Sequence, residues 1–177
     1  QGTEIEIPVL LAVWLGMRMS EIRGLKWSNV YDDHIIINNV IVDTDDAPVE
    51  KDITKSYTST RKVWISKYLS EKLKNAPRKG EYVTTLSGQA IYKRFSRLLD
   101  KHSIEHCRFH DLRRVNASIM LMLDIPDKYA MERGGWATNS ILKNVYQETF
   151  TSEKEVVNNK IDGFFENMLV KIDDMQH

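Results

Sequence analysis

The chain of 177 residues is 42 % hydrophobic and holds only 8 glycines and 4 prolines, which suits one domain with a substantial core and excludes a disordered chain. Its 25 basic and 25 acidic side chains balance, so nothing about the bulk charge invites nucleic acid. Residues 151–177, however, hold six acids against three lysines, leaving 22 basic and 19 acidic residues in 1–150, and phosphate binding needs a local patch rather than a basic average.

Taken in chain order, Pro8 is placed to start a helix carrying Val9, Leu10, Ala12, Val13 and Leu15, which Gly16 ends. The apolar stretch from Ile7 to Gly16 is far too short to cross a bilayer, and no basic region precedes it as a signal peptide requires. Ser20 is well placed as the N-cap of a short second helix over Glu21–Leu25. β-Branched residues dominate from His34 to Val42, and further extended pieces are expected near Val49–Ile53 and Val63–Ile65, together forming a small antiparallel sheet. Beyond Ser66 the pattern turns helical, with Ile91, Phe95, Leu98 and Leu99 on one face. Segments 110–124, 126–134, 138–147 and 153–172 also read as helices, Pro126 opening one and Gly134-Gly135 breaking between two others. The last of these carries an apolar face of Val156, Val157, Ile161, Phe164, Phe165, Met168 and Leu169, which packs on its own domain or on a neighbouring molecule. No repeat or linker is visible, so 1–177 reads as a single, mostly α domain with one sheet inserted early.

Cys107 is the only cysteine, which excludes an internal disulfide and fits a reducing cytosol. His102, His106 and His110 stand at i, i+4 and i+8 beside it. One helix running through all three would align them as metal ligands, but Ser103–Phe109 shows no helical apolar pattern, and no metal is expected.

A second constellation is more coherent. Arg18 and Arg113 offer paired donors that stay protonated, the chemistry that stabilises the non-bridging oxygens of a phosphodiester under attack. His110, three residues before Arg113, falls on the same helical face and can bond a phosphate oxygen or move a proton. Lys55, between two expected strands, can donate a proton to a leaving oxygen, and the Tyr146 phenol can attack phosphorus. Each has an ordinary alternative when taken alone: a paired surface arginine, a capping histidine, a solubilising turn lysine, a packed tyrosine.

Together, and in this order, the residues resemble the catalytic domain of tyrosine recombinases, the phage integrase family. Gly16, Arg18, Ser20 and Glu21 match that family's Gly-x-Arg-x-Ser-Glu element, followed by Leu25 and Trp27. His110-Asp111-Leu112-Arg113-Arg114 matches its His-x-x-Arg box letter for letter. Gly135-Trp136 matches the Gly followed by His or Trp, and Tyr146 follows ten residues after Trp136, where nine is more usual. Lys55 matches the hairpin lysine, with Ser59 and Arg61 downstream, while Val115 replaces the common Thr or Ser.

The resemblance covers nearly the whole chain and implies helices around a three-stranded antiparallel sheet. It implies a site-specific recombinase that cleaves and rejoins DNA through a 3′-phosphotyrosine on Tyr146, releasing a 5′-hydroxyl, with no cofactor. In that scheme Arg18 and Arg113 clamp the scissile phosphate, Lys55 protonates the 5′ oxygen, His110 assists proton transfer, and the Trp136 indole N–H braces the phosphate. Glu21 buttresses the arginine. The implied partners are double-stranded DNA attachment sites, three further copies in a synaptic tetramer that the C-terminal helix helps to join, and accessory directionality or bending proteins. The implied setting is the bacterial cytosol and nucleoid, away from membranes. Because such proteins usually carry N-terminal DNA-binding domains, and because the numbering opens at Gln1, the chain is read as the catalytic fragment of a longer parent. A type IB topoisomerase shares the chemistry and is the nearest rival. A non-catalytic DNA-binding module would be expected to have lost one of these residues.

Overall fold

The computed structural model describes residues 3–52 and 60–138. Lys55, Tyr146, the expected helix over 153–172 and all but the first residue of that over 138–147 lie outside them.

Helix α1 spans Glu6–Leu15 and buries Leu11, Ala12 and Leu15. It begins two residues before Pro8, which sits in the first turn, where a missing N–H breaks no intrahelical bond. Gly16 ends it as expected, at φ 65°, a left-handed conformation that costs a glycine little. Helix α2 covers Met19–Gly24. Its N-cap is Arg18 rather than the expected Ser20, because the Glu21 carboxylate reaches back to accept the Arg18 backbone N–H at 2.8 Å. That half of a capping box satisfies the helix start without a serine.

Four short strands follow: β1 (His34–Ile37), β2 (Asn39–Val42), β3 (Val49–Asp52) and β4 (Arg61–Trp64). The expected strand over 34–42 bends at Asn38, whose side-chain oxygen accepts a hydrogen bond from Asn29 Nδ2 at 2.7 Å. Its halves pair separately, β1 antiparallel with β4 and β2 antiparallel with β3. The small sheet is therefore two successive ladders, three-stranded only if 34–42 is counted once. On β4, Arg61 and Val63 face inward while Lys62 and Trp64 face out.

Helices α3 (Lys67–Lys74) and α4 (Gly88–Lys101) are capped by Ser66 and Ser87, whose hydroxyls accept backbone N–H groups three residues on. The periodicity of α4 holds, with Ile91, Phe95 and Leu99 buried and Leu98 partly so. Helices α5 (Asp111–Met122) and α6 (Asp127–Gly134) complete the described chain. Between α4 and α5 the backbone is not helical: His102 caps α4 and Ser103 turns at φ 51°. The three histidines therefore do not align, and His106 instead bonds Asp100 at 3.1 Å. Among the described residues no group of three His, Cys, Asp or Glu gathers to hold a metal ion, and no helix is long and apolar enough to cross a membrane.

Two apolar clusters result. The larger joins α1 to α4, the β1–β4 ladder and Phe109. The smaller contains Ala117 and Met120 of α5, Ala130 of α6, and Trp136. Hydrophobic burial drives each cluster separately, and the polar side chains between them form the candidate site.

Candidate active site

The end of α1, the start of α2, the start of α5 and the end of α6 meet at this seam. Helix C-termini present unpaired carbonyls with a negative end of the helix dipole, and here those carbonyls are met by side chains from the other elements. Asn116 Nδ2 donates to the carbonyls of Val13 and Trp14 at 2.9 and 3.1 Å, and Arg133 donates to Trp14 at 3.2 Å. The end of α1 is thus tied to both α5 and α6.

Arg113 lies one turn into α5 and is 3 % exposed. Its Nη1 donates to the carbonyls of Gly16 and Gly134, the latter at 2.6 Å. Its guanidinium carbon stands 4.2 Å from the centroid of the Trp136 ring, a distance at which the ring face attracts a cation. Its Nη2 is buried and has no hydrogen-bond partner among the described residues. A buried donor left unpaired costs on the order of 1–3 kcal/mol or more, which an anionic oxygen placed there would recover. Burial first, then the charge of Arg18, pushes the Arg113 pKa down to about 9; Glu21 opposes the fall and Arg61 adds to it. Arg113 remains a cation at neutral pH, in a setting that favours the arrival of negative charge.

Arg18 is more open, its side chain 43 % exposed. Its Nη1 donates to Glu21 at 2.9 Å and its Nη2 to the Gly135 carbonyl at 2.9 Å. Glu21, only 2 % exposed, also takes a two-pronged ion pair from Arg61, 2.9 Å on each side. Burial alone would raise the Glu21 carboxyl, but the hydrogen bonds and charge of Arg61, joined by those of Arg18, hold it below its ordinary value. The carboxylate is a fixed anion under the arginines.

His110 precedes α5 as its N-cap and is exposed. The residue before it, Phe109, is buried and packs edge-to-face on Phe95 of α4, ring centroids 5.5 Å apart. This anchor sets the point at which His110 emerges. Partial burial and the neighbouring cations Arg113 and Arg114 lower its pKa, with Asp111 opposing and Arg18 adding to the shift. The imidazole is therefore neutral near pH 7 and able to accept a proton.

Four of the six residues singled out in the sequence, Arg18, His110, Arg113 and Trp136, are thus brought together. Lys55 and Tyr146 lie outside the described residues. Trp136 contributes its ring face to Arg113, a contact that spacing alone did not suggest. Arg61 was visible only as a downstream match; its inward place on β4 could have been read from the alternation Arg61-Lys62-Val63-Trp64, with Val63 marking the buried face. Asn116 and Arg133 left no sequence signal. A groove of about 870 Å³ adjoins the seam, lined by Trp14, Trp64, Ile119 and Tyr129 together with Asn116 and Arg133, but by neither Arg18 nor Arg113.

This fold has counterparts. The tyrosine recombinase XerC-like protein of Caldanaerobacter subterraneus subsp. tengcongensis is 26 % identical over 187 aligned positions, covering 87 % of this chain and 48 % of that protein. The integrase of the Tn1549 transposon, solved with a circular intermediate DNA, superposes with a TM-score of 0.69 at 14 % identity, covering 79 % of this chain and 53 % of that one. XerA recombinase superposes with a TM-score of 0.62 at 15 % identity, covering 85 % and 58 %. The chain spans about half the length of these relatives. The sequence model of the phage integrase family matches residues 2–153, over the elements that build the seam, and the chain belongs to that family.

Proposed function

We propose that this chain is the catalytic part of a site-specific DNA recombinase. The observation that carries the reading is the pairing of a buried Arg113 donor, unpaired among the described residues, with an exposed, carboxylate-anchored Arg18 beside a neutral His110. Such a set suits the anionic oxygens of a phosphodiester, which guanidinium groups meet with charge-assisted hydrogen bonds. Support comes also from fold relatives solved on DNA, among them XerH recombinase bound to a palindromic difH substrate in a post-cleavage complex.

In this reading the Tyr146 oxygen attacks phosphorus, forming a 3′-phosphotyrosine as the P–O5′ bond breaks. The phenol proton passes toward His110 or solvent, and Lys55 protonates the departing 5′ oxygen. Arg18 and Arg113 stabilise the charge that develops on the non-bridging oxygens, and the Trp136 indole braces them. Attack by a 5′-hydroxyl from a partner strand reverses the same steps, so bond energy is conserved. The full recombinase assembles as a tetramer on paired attachment sites, with the 153–172 segment docking on an adjacent copy and accessory bending or directionality proteins assisting, in the bacterial cytosol.

The test is incubation with a nicked suicide duplex of the attachment site in EDTA, followed by denaturing electrophoresis. A covalent protein–DNA band with the wild type and none with Tyr146→Phe is expected. No band with the wild type, or a band that survives Tyr146→Phe, overturns the reading. Relaxation of a supercoiled plasmid without strand exchange would assign the chain to topoisomerase-type chemistry instead.

A further inference from the structure

Arg61 carries a full charge in a place where charges are rare. It is 6 % exposed, and its fork closes on both oxygens of Glu21 at 2.9 Å, while Nε donates to the Arg133 carbonyl at 3.1 Å. Each Glu21 oxygen thereby receives two donors, one from Arg61 and one from Arg18, whose backbone N–H reaches Oε2 and whose Nη1 reaches Oε1. A carboxylate offers about four acceptor positions, so Glu21 is saturated.

A buried ion pair of this kind is poor insurance for stability alone, since desolvation offsets most of the Coulomb gain. Its effect on charge is larger. Arg18, Arg61 and Arg113 set three positive charges against the single negative charge of Glu21. Were Arg61 neutral, Glu21 would be free to close its own fork on Arg18, and the strongest cation open to solvent would be tied up by a carboxylate rather than offered to a phosphate.

We propose that Arg61 is a positioning residue of the phosphate site: it occupies the forked face of Glu21, so that Arg18 is anchored by that carboxylate without being neutralised by it, and the group of Arg18, Arg61, Arg113 and Glu21 keeps two net positive charges. The inference rests on the DNA-cleaving reading above and adds a residue to it. Arg61 opens β4, directly after the segment that carries Lys55, and its Nη1 lies 2.7 Å from where a Cβ on Gly135 would sit. Strand β4, the start of α2 and the end of α6 are thus joined through one guanidinium.

The proposal makes net charge, not the number of bonds kept, the controlling quantity. Arg61→Gln leaves one net positive charge. Arg61→Lys and the double substitution Glu21→Gln with Arg61→Gln both leave two. Single-turnover cleavage of the nicked suicide duplex is measured for each, alongside duplex affinity and far-UV circular dichroism. Arg61→Gln is expected to cleave ~10²-fold more slowly, the scale of one lost preorganised donor, with affinity changed only a few-fold. The double variant is expected to cleave at least ~10-fold faster than Arg61→Gln despite having lost more contacts. A double variant no faster than Arg61→Gln marks Arg61 as a packing residue only and overturns the proposal. If Arg61→Gln does not fold, the charge-matched Arg61→Lys decides: cleavage within ~10-fold of wild type supports it, and a larger loss overturns it. Failure of the wild type itself to form the covalent band counts against the DNA-cleaving reading, so the two failures are distinguishable.

Discussion

Trp136 lies against Arg113, its ring centroid 4.2 Å from the guanidinium carbon, and both residues are at least 96 % shielded from solvent. The indole thus serves two neighbours: it closes the small apolar cluster with Ala117, Met120 and Ala130, and it supports the Arg113 cation. A desolvated cation–π contact contributes about 2 kcal/mol.

Removing that ring should therefore be felt twice. Trp136→Ala is expected to destabilise the protein by about 3–5 kcal/mol in urea unfolding, the range for truncating a buried tryptophan. Trp136→Phe, which keeps an aromatic face, should lose less than half as much and cleave faster than the alanine variant. Equal losses for the two would mean that the ring face does nothing for Arg113.

His110 supplies a pH signature. Its pKa is lowered by partial burial and then by Arg113 and Arg114, so the unfolded chain takes up this proton more readily than the folded one. Stability linked to His110 is complete above about 6.5, the ordinary histidine value, and is lost as the pH falls toward its folded value. An NMR titration of the His110 ring should give a midpoint below that of the free side chain. Added inorganic phosphate should move the midpoint upward, because an anion at Arg113 and Arg18 offsets the cations that depress it.

Glu21 behaves in the opposite sense. Its lowered carboxyl adds stability above about pH 4.3 that disappears as the pH falls through its folded value. Glu21→Gln leaves Arg61 buried without a counter-charge, and a loss of about 3–5 kcal/mol is expected at pH 7. The gap between wild type and variant should narrow in urea unfolding at pH 3. A constant gap would show that the carboxylate's charge is not what matters.

Gly135 tests the backbone. It sits at φ 67°, and a Cβ there would stand 2.7 Å from Arg61 Nη1. Gly135→Ala should cost about 1–3 kcal/mol through strain at positive φ and displace Arg61 from Glu21. Gly80 has open space around the corresponding position, and Gly80→Ala should leave thermal unfolding nearly unchanged.

Much of this site was legible in the sequence because its determinants are local. The His110–Arg113 spacing, the Gly16 stop and the helix end at Gly134-Gly135 depend on neighbours within a turn or two, and each appears where expected. Ser20 was misread as a helix cap because serine is the commoner choice, while the Glu21 side chain does that work from inside the helix. The bend at Asn38 was hidden in a run of β-branched residues that reads as one strand. The pairing of Arg61 was not legible, since its partner Glu21 is forty residues away, and no periodicity links a strand's first residue to a helix start.

Arg18, Arg61 and Arg113 rest on four main-chain carbonyls, those of Gly16, Arg133, Gly134 and Gly135. A carbonyl is a ligand that no codon change can delete. This half of the anchorage is thus indifferent to most side-chain drift around it and answers to the path of the backbone, whereas the half supplied by Glu21 and Trp136 does not. Loss of activity through the carbonyl half is to be sought at positions that steer the chain, with Gly16 and Gly135 foremost.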